Sequence, residues 1–366
     1  MQTVFLTGIW PPDVGGPATH GPDFAEFLVG RGHAVRVVTM GDDELSVRPC
    51  PVEVVSRARA FPVRYAEVAL RGARAARRAD VVYATATYAA ASFASVVAHR
   101  PLVAKLVSDP AYERAVRYRL CSDTLEAFQA ASGAAVTALK RARTLALRRA
   151  RAIVVPSAYL AEIARGWGLD PGRVLVLANP APAPAEVVPE ELEPRTIAFV
   201  GRLTPQKDLG TAIEAVGRVP GARLVLVGDG PERERLERLA RDQDGRVTFL
   251  GPRPRAEALR VLAGADAAVL SSAWENLPHA AVEALSVGTP VVSTAVGGVP
   301  EVVEDGVNGL LVPAGAPDAL AAALARVLDE PGLRDRLAAG ARASVERLSR
   351  DAIYGRLERI LLEAAG

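Results

Sequence analysis

The chain has 366 residues and a mass of 38.5 kDa, half of it apolar and 23% charged, which suits two globular domains and excludes a disordered or fibrous protein. No run of roughly 18 uncharged apolar residues offers a membrane span. Two cysteines, Cys50 and Cys121, make neither a disulfide framework nor a four-ligand zinc site, so a reducing cytoplasm is expected. The net charge of +2 hides an asymmetry: residues 1–180 carry 23 basic and 15 acidic side chains (+8), residues 181–366 carry 21 and 27 (−6).

The first residues, MQTVFLTGIWPP, have no basic stretch before their apolar run and read as a strand rather than a signal peptide. Short β-branched runs then alternate with longer helical patterns. Residues 4–7, 34–39, 81–83, 102–106 and 152–155 read as buried parallel strands, with helices over 17–30, 62–78 and the long segment 122–149. Much of the basic excess lies at 140–151. A membrane-touching helix is one reading of that run, but Leu139, Leu145 and Leu147 make a poor stripe and no Trp or Phe is present. A solvated face is favoured.

Five prolines between Asn179 and Pro194 mark residues 181–194 as a semi-rigid linker. The alternation then restarts, with strands expected at 196–200, 223–227, 247–250, 267–270 and 291–293. The fold class is therefore α/β: two doubly wound, Rossmann-like domains, 1–180 and 195–348, facing across a cleft lined by strand-end loops. A last helix, 349–366, is expected to return to the first domain.

Three segments carry chemistry. Gly15 and Gly16, just before a helix, can bring backbone N–H groups close to an anion, although a plain turn reads equally well. Gly201-Arg202-Leu-Thr-Pro-Gln-Lys207 follows the first strand of the second half. Arg202 can fork onto phosphate oxygens and Lys207 adds a compact charge, which suits a diphosphate; exposed loop cations are the plainer reading. The third segment runs from Ser271 to Ser293. Asn276 suits a helix N-cap, Pro278 the first helical turn, and Gly288 the helix end. Glu275 falls just outside this helix and Glu283 inside it, where a carboxylate can hold the two hydroxyls of a ribose. Histidines 20, 33, 99 and 279 have no zinc-ligand spacing, Asp242 and Asp244 end a charged helix, and no metal site is expected.

Glu275 and Glu283 resemble the Glu-x7-Glu element of the family 4 retaining glycosyltransferases, which have the GT-B fold. The flanking Glu283-Ala-Leu-Ser-Val-Gly-Thr-Pro-Val-Val and Gly297-Gly-Val-Pro-Glu-Val-Val-Glu-Asp-Gly, the Gly201–Lys207 segment and Trp10-Pro-Pro-Asp-Val-Gly-Gly-Pro-Ala18 are also similar to that family. The resemblance implies transfer of a hexose-type sugar (hexosyl or N-acetylhexosaminyl) from a nucleoside diphosphate to an acceptor hydroxyl. Anomeric configuration is retained, no metal or cofactor takes part, and a UDP-sugar is the leading donor. It implies that Gly15, Gly16, Gly201, Arg202 and Lys207 meet the diphosphate, that Glu275 and the 276–279 segment (Asn276, Leu277, Pro278, His279) meet the sugar, and that Glu283 meets the ribose. Many members have Glu-Gly-Phe-Gly where this chain has Glu275-Asn-Leu-Pro278, and proline brings no N–H to that corner. No cleft histidine matches the family in the first domain, which leaves Asp109 as the polar candidate to contact the acceptor.

The acceptor is expected to be a small soluble molecule rather than a membrane lipid, with no nucleic acid partner. The chain is expected to act as a monomer or homodimer in the cytoplasm or at the inner membrane face. Rival readings are a GT-B protein that joins cyclitols or epimerises a nucleotide sugar, a non-catalytic nucleotide-sugar binder, and a nicotinamide oxidoreductase. The last lacks G-x-G-x-x-G.

Overall fold

The structure is a computed structural model that describes residues 1–13, 16–41, 49–121, 124–182 and 187–366. Two units are separately compact: Met1–Asn179 with Asp351–Gly366, and Pro180–Arg350.

The first unit is built on a parallel sheet of β1 (Gln2–Thr7), β2 (Ala34–Gly41), β3 (Val52–Ser56), β4 (Val81–Thr85), β5 (Leu102–Lys105), β6 (Ala150–Val155) and β7 (Val174–Val176). Their order is β3-β2-β1-β4-β5-β6-β7. Helices cover both faces, so the central strands β1, β4 and β5 are almost wholly buried and each carries an apolar run, residues 4–6, 81–84 and 102–104. Phe5 of β1 stacks on Phe24 at 5.7 Å and meets Tyr83 of β4 at 4.7 Å. Edge strands β3 and β7 were not expected from the sequence. Glu53 breaks the apolar run of β3, which is mostly half-buried, and β7 has only three residues.

The helices of this unit are α1 (Gly16–Gly30), α2 (Phe61–Ala76), α3 (Tyr88–Ala98), α4 (Pro110–Arg117), α5 (Leu125–Ala130), α6 (Ala134–Leu147) and α7 (Ala158–Arg165). The segment 122–149, expected to be helical, holds the two helices α5 and α6, and residues 122–123 lie outside the described chain. Ala131 leaves α5 in an extended conformation and Gly133 enters α6 at φ +129°, which a residue with a Cβ adopts only under strain.

The second unit has the parallel strands β8 (Thr196–Val200), β9 (Arg223–Val227), β10 (Val247–Gly251), β11 (Ala267–Leu270), β12 (Val291–Thr294) and β13 (Gly309–Val312), ordered β10-β9-β8-β11-β12-β13. Helices α8 (Leu209–Arg218), α9 (Arg233–Ala240), α10 (Arg255–Gly264), α11 (His279–Ser286), α12 (Pro317–Asp329) and α13 (Leu333–Val345) flank them. Ile197, Phe199, Leu224 and Leu226 of the sheet share a core with Ile213, Leu320 and Leu324 of α8 and α12. In both sheets the strand order reverses beside the first strand, between β1 and β4 and between β8 and β11. A crevice outside the carboxyl ends of the strands follows from that reversal.

Helix α14 (Arg350–Ala365) ends the chain, and from Asp351 onward it belongs to the first unit. Tyr354 packs on Phe24 and Phe27, with ring centres at 5.2 and 5.6 Å. Glu358 is buried, accepts from Arg31 Nε at 2.9 Å and meets His33 Nε2 at 2.7 Å. Burial alone would raise its carboxyl, yet these two partners hold it below the ordinary range.

Lys105, at the end of β5, is 5% exposed, and burial pulls its ammonium down to about 8. Unfolded, the same lysine keeps its proton to about 10.4, so between these values the unfolded chain binds more protons and stability rises with pH. Below that window the buried charge costs roughly 3 kcal/mol. Lys105→Met is expected to stabilise the protein by up to about that amount at pH 7 and by little above pH 10.5. Urea denaturation at both pH values checks this, and equal stability of the two proteins at pH 7 counts against it.

Candidate active site

At the carboxyl end of the second sheet, neighbouring strands open into loops that touch backbone to backbone. Gly201 N donates to Val227 O and Leu203 N to Asp229 O, both at 2.9 Å. Gly228 sits at φ +137°, and a Cβ there would lie 1.9 Å from Gly201 O, so only glycine allows the loops after β8 and β9 to close together. Arg202, between Gly201 and Leu203, is exposed and has no acidic partner among the described residues.

Lys207 ends a short 3-10 turn, Pro205–Lys207. Its Nζ forms an ion pair with Glu275 Oε1, and Ser272 Oγ donates to the same oxygen at 2.7 Å. The Lys207 and Glu275 side chains are 18% and 6% exposed. The surrounding backbone is tied tightly. Gln206 Nε2 donates to Trp274 O (2.9 Å), Ala273 N to Gln206 O (2.8 Å), and Ser271 Oγ to the carbonyls of Lys207 and Asp208 (2.9 Å each). Gly298 N, after β12, donates to Glu275 O at 3.1 Å. Three strand-end loops thus hold one buried carboxylate and one half-buried ammonium at the switch point.

Helix α11 begins later than its sequence suggests. Pro278, not Asn276, is the N-cap, with extended backbone at ψ 96° and no side-chain cap bond. Asn276 and Leu277 therefore precede the helix, and the Pro278 carbonyl takes the N–H groups of Ala281 (3.1 Å) and Val282 (3.2 Å). The N–H groups of His279 and Ala280 fall in the first turn, where helix geometry provides no carbonyl for them. Glu283 lies one turn further on, half-buried, and accepts from Arg255 Nε at 2.9 Å. Burial raises its carboxyl above the ordinary range, with Arg255 pulling the other way.

In the first unit, Gly16 opens α1 and Gly15 lies outside the described residues. The expectation for Asp109 is corrected. It is fully buried and caps α4, accepting from Ala111 N (2.8 Å) and Tyr112 N (3.4 Å), from Gln129 Nε2 (3.0 Å) and from Arg143 Nη1 (2.5 Å). A carboxylate so enclosed does not meet an acceptor. Nor is the basic run of α6 simply a solvated face. Arg143 is buried over the Trp167 ring at 4.0 Å, and Lys140 donates to the carbonyls of Gln129 and Ala131. Leu145, Arg148 and Arg149 are exposed.

Sequence reading missed Ser272, Gln206 and Arg255. Gln206 and Ser272 lie inside segments already singled out, where a polar residue among loop glycines and prolines is the signal. Arg255 comes from another helix, 28 residues before its partner, and no local pattern points to it.

Residues 15–180 match the family model for the Glycosyl transferase 4-like domain, and residues 185–344 match Glycosyl transferases group 1. The chain is 40% identical over 160 residues to the lipopolysaccharide core biosynthesis glycosyltransferase LpsE of Rhizobium meliloti, covering 43% of this chain and 46% of that protein. It is 41% identical over 141 residues to the D-inositol 3-phosphate glycosyltransferase of Mycobacterium marinum, covering 36% of this chain and 30% of that protein. The chain thus aligns with less than half the length of these relatives. Among solved structures, Anabaena HepE in complex with UDP-glucose superposes with a TM-score of 0.80 at 22% identity, over 99% of this chain and all of that one. Sucrose-phosphate synthase from Thermosynechococcus elongatus also gives 0.80, at 23% identity over the whole of both chains. Among the described residues no helix is long and apolar enough to cross a membrane. With two doubly wound parallel sheets, one under each matched model, the chain has the GT-B fold, with a Glycosyl transferase 4-like domain over residues 15–180 and a Glycosyl transferases group 1 domain over residues 185–344.

Proposed function

We propose that the protein is a retaining glycosyltransferase that moves a hexosyl or N-acetylhexosaminyl group from a nucleoside diphosphate sugar, UDP-linked as the leading case, to a hydroxyl of a small soluble acceptor. The observation that carries this reading is the Lys207–Glu275–Ser272 cluster at the switch point of the second sheet, beside the exposed Arg202. The half-buried ammonium of Lys207 and the buried carboxylate of Glu275 neutralise each other. A bound donor splits the pair: Lys207 and Arg202 turn to the diphosphate, and Glu275 accepts from sugar hydroxyls. The transition state gathers negative charge on the departing diphosphate, where preorganised cations and helix N-termini lower its energy. The leaving phosphate is the group that takes the acceptor proton, on the face from which the diphosphate departs. That HepE is solved with UDP and with UDP-glucose supports a uridine donor.

Glu283 recognises the ribose through both hydroxyls in this reading, with Arg255 holding the carboxylate in place. Loss of one hydroxyl leaves that carboxylate partly unsatisfied, at about 1–3 kcal/mol. UDP is therefore expected to bind ten- to a hundredfold more tightly than its 2′-deoxy analogue, in excess chelator, and Glu283→Gln to narrow the gap. Titration calorimetry decides it. Equal affinities remove Glu283 from the ribose, and failure of UDP to bind removes the uridine donor.

A further inference from the structure

A cavity of about 420 Å³ opens at the carboxyl end of the first sheet, lined by Gly8 after β1 and Ala86 after β4. Its volume suits a small molecule. Four arginines line it. Arg57 follows β3, Arg64 comes from the first turn of α2, and Arg114 and Arg117 share a face of α4 at i and i+3. The acids among its described lining residues are Asp13 and Glu113, so four cations face two anions, a net +2.

Both acids are already engaged. Arg57 takes both oxygens of Asp13, with Nη1 to Oδ1 at 2.7 Å, and the same arginine donates to Met40 O at 3.2 Å. Ser108 Oγ donates to Glu113 Oε1. Arg64, Arg114 and Arg117 form no ion pair with any described residue. Arg64 spends one N–H on Arg57 O (3.1 Å), while its buried Nε has no hydrogen-bond partner. Buried guanidinium N–H groups are rarely left unmade, and like charges gathered around one cavity repel unless an anion enters.

We infer that this cavity receives a phosphate monoester carried by the acceptor, an inference that rests on the glycosyl-transfer reading above. A phosphate monoester brings a charge of about −1.5 to −2 and three acceptor oxygens, which answers both the net charge and the unmade donors. A carboxylate brings only one charge. Guanidinium forks match phosphate geometry in pairs, and the i, i+3 arginines of α4 offer two forks side by side.

The test is calorimetry on protein saturated with UDP, so that phosphate groups are kept from the donor side. Glycerol 3-phosphate is titrated beside glycerol and glycerate, and vesicles containing phosphatidate provide a lipid-borne monoester. Glycerol 3-phosphate is expected to bind and glycerol not to bind. The double variant Arg114→Gln/Arg117→Gln, and separately Arg64→Gln, are expected to weaken the phosphate ester tenfold or more and leave UDP affinity unchanged. No preference for the phosphate ester over glycerol and glycerate together with no retention on phosphatidate vesicles, or a preference untouched by all three substitutions, overturns the inference. Retention on phosphatidate vesicles that the double variant loses, without a response to glycerol 3-phosphate, supports the phosphate chemistry but overturns the soluble acceptor. UDP binding is read separately, so its failure counts against the donor reading alone.

Discussion

Lys207→Ala is expected to lower kcat by about 10²–10³ at saturating donor, the loss typical when one preorganised group is removed from a developing charge. The variant also leaves Glu275 buried with Ser272 as its remaining side-chain partner, so about 1–3 kcal/mol of stability should go with it. The two effects are separable. Adding Glu275→Gln to Lys207→Ala removes the stranded charge, so stability should recover while turnover stays low. Thermal denaturation of both variants reads the stranded charge of Glu275, and steady-state kinetics of the single variant, at a temperature where it stays folded, reads the loss at the leaving group. Near wild-type turnover in the single variant would falsify the assignment of Lys207 to the diphosphate.

Asp109→Ala is expected to destabilise the first unit by about 3–5 kcal/mol, because Arg143, 5% exposed at its side chain, loses its carboxylate. Loss of the α4 cap adds about 1 kcal/mol. Gln129 and Trp167 are drawn in as well, since Trp167 Nε1 donates to Gln129 Oε1 at 3.1 Å and Gln129 in turn donates to Asp109. Asp109→Asn keeps one capping oxygen and should cost less. Combining Asp109→Ala with Arg143→Met removes both charges and should return part of the loss, because a buried pair replaced by apolar groups is often close to neutral. Denaturant midpoints of the three variants read the network directly. A cost below about 1 kcal/mol for Asp109→Ala would show that the pair is dispensable and reopen a functional role for this carboxylate.

The fate of Asp109 also reorganises the first unit's chemistry. The sequence offered one acid, Asp109, to contact the acceptor. Folding withdraws that acid into a helix cap and leaves arginines from three separate segments around the strand-end cavity.

The sequence by itself determined the two parallel α/β units, because buried central strands such as β1, β4, β9 and β11 carry apolar runs of three or more residues between helices. It also determined the two loop segments of the second unit. Gly201 to Lys207 and Ser271 to Glu283 are contiguous, and their glycines, prolines and charges state their turns locally. Tertiary structure alone decided which charges meet. Lys207 and Glu275 pair across 68 residues, Arg143 and Asp109 across 34, and Arg255 and Glu283 across 28. It decided too that Pro278 rather than Asn276 caps α11, and that β3 and β7 complete a sheet edge from half-buried or three-residue runs. The reason is the same in each case. Periodicity and turn chemistry act over a few residues, whereas burial, and the partner that a buried charge requires, are set by whichever distant segments the fold brings against it.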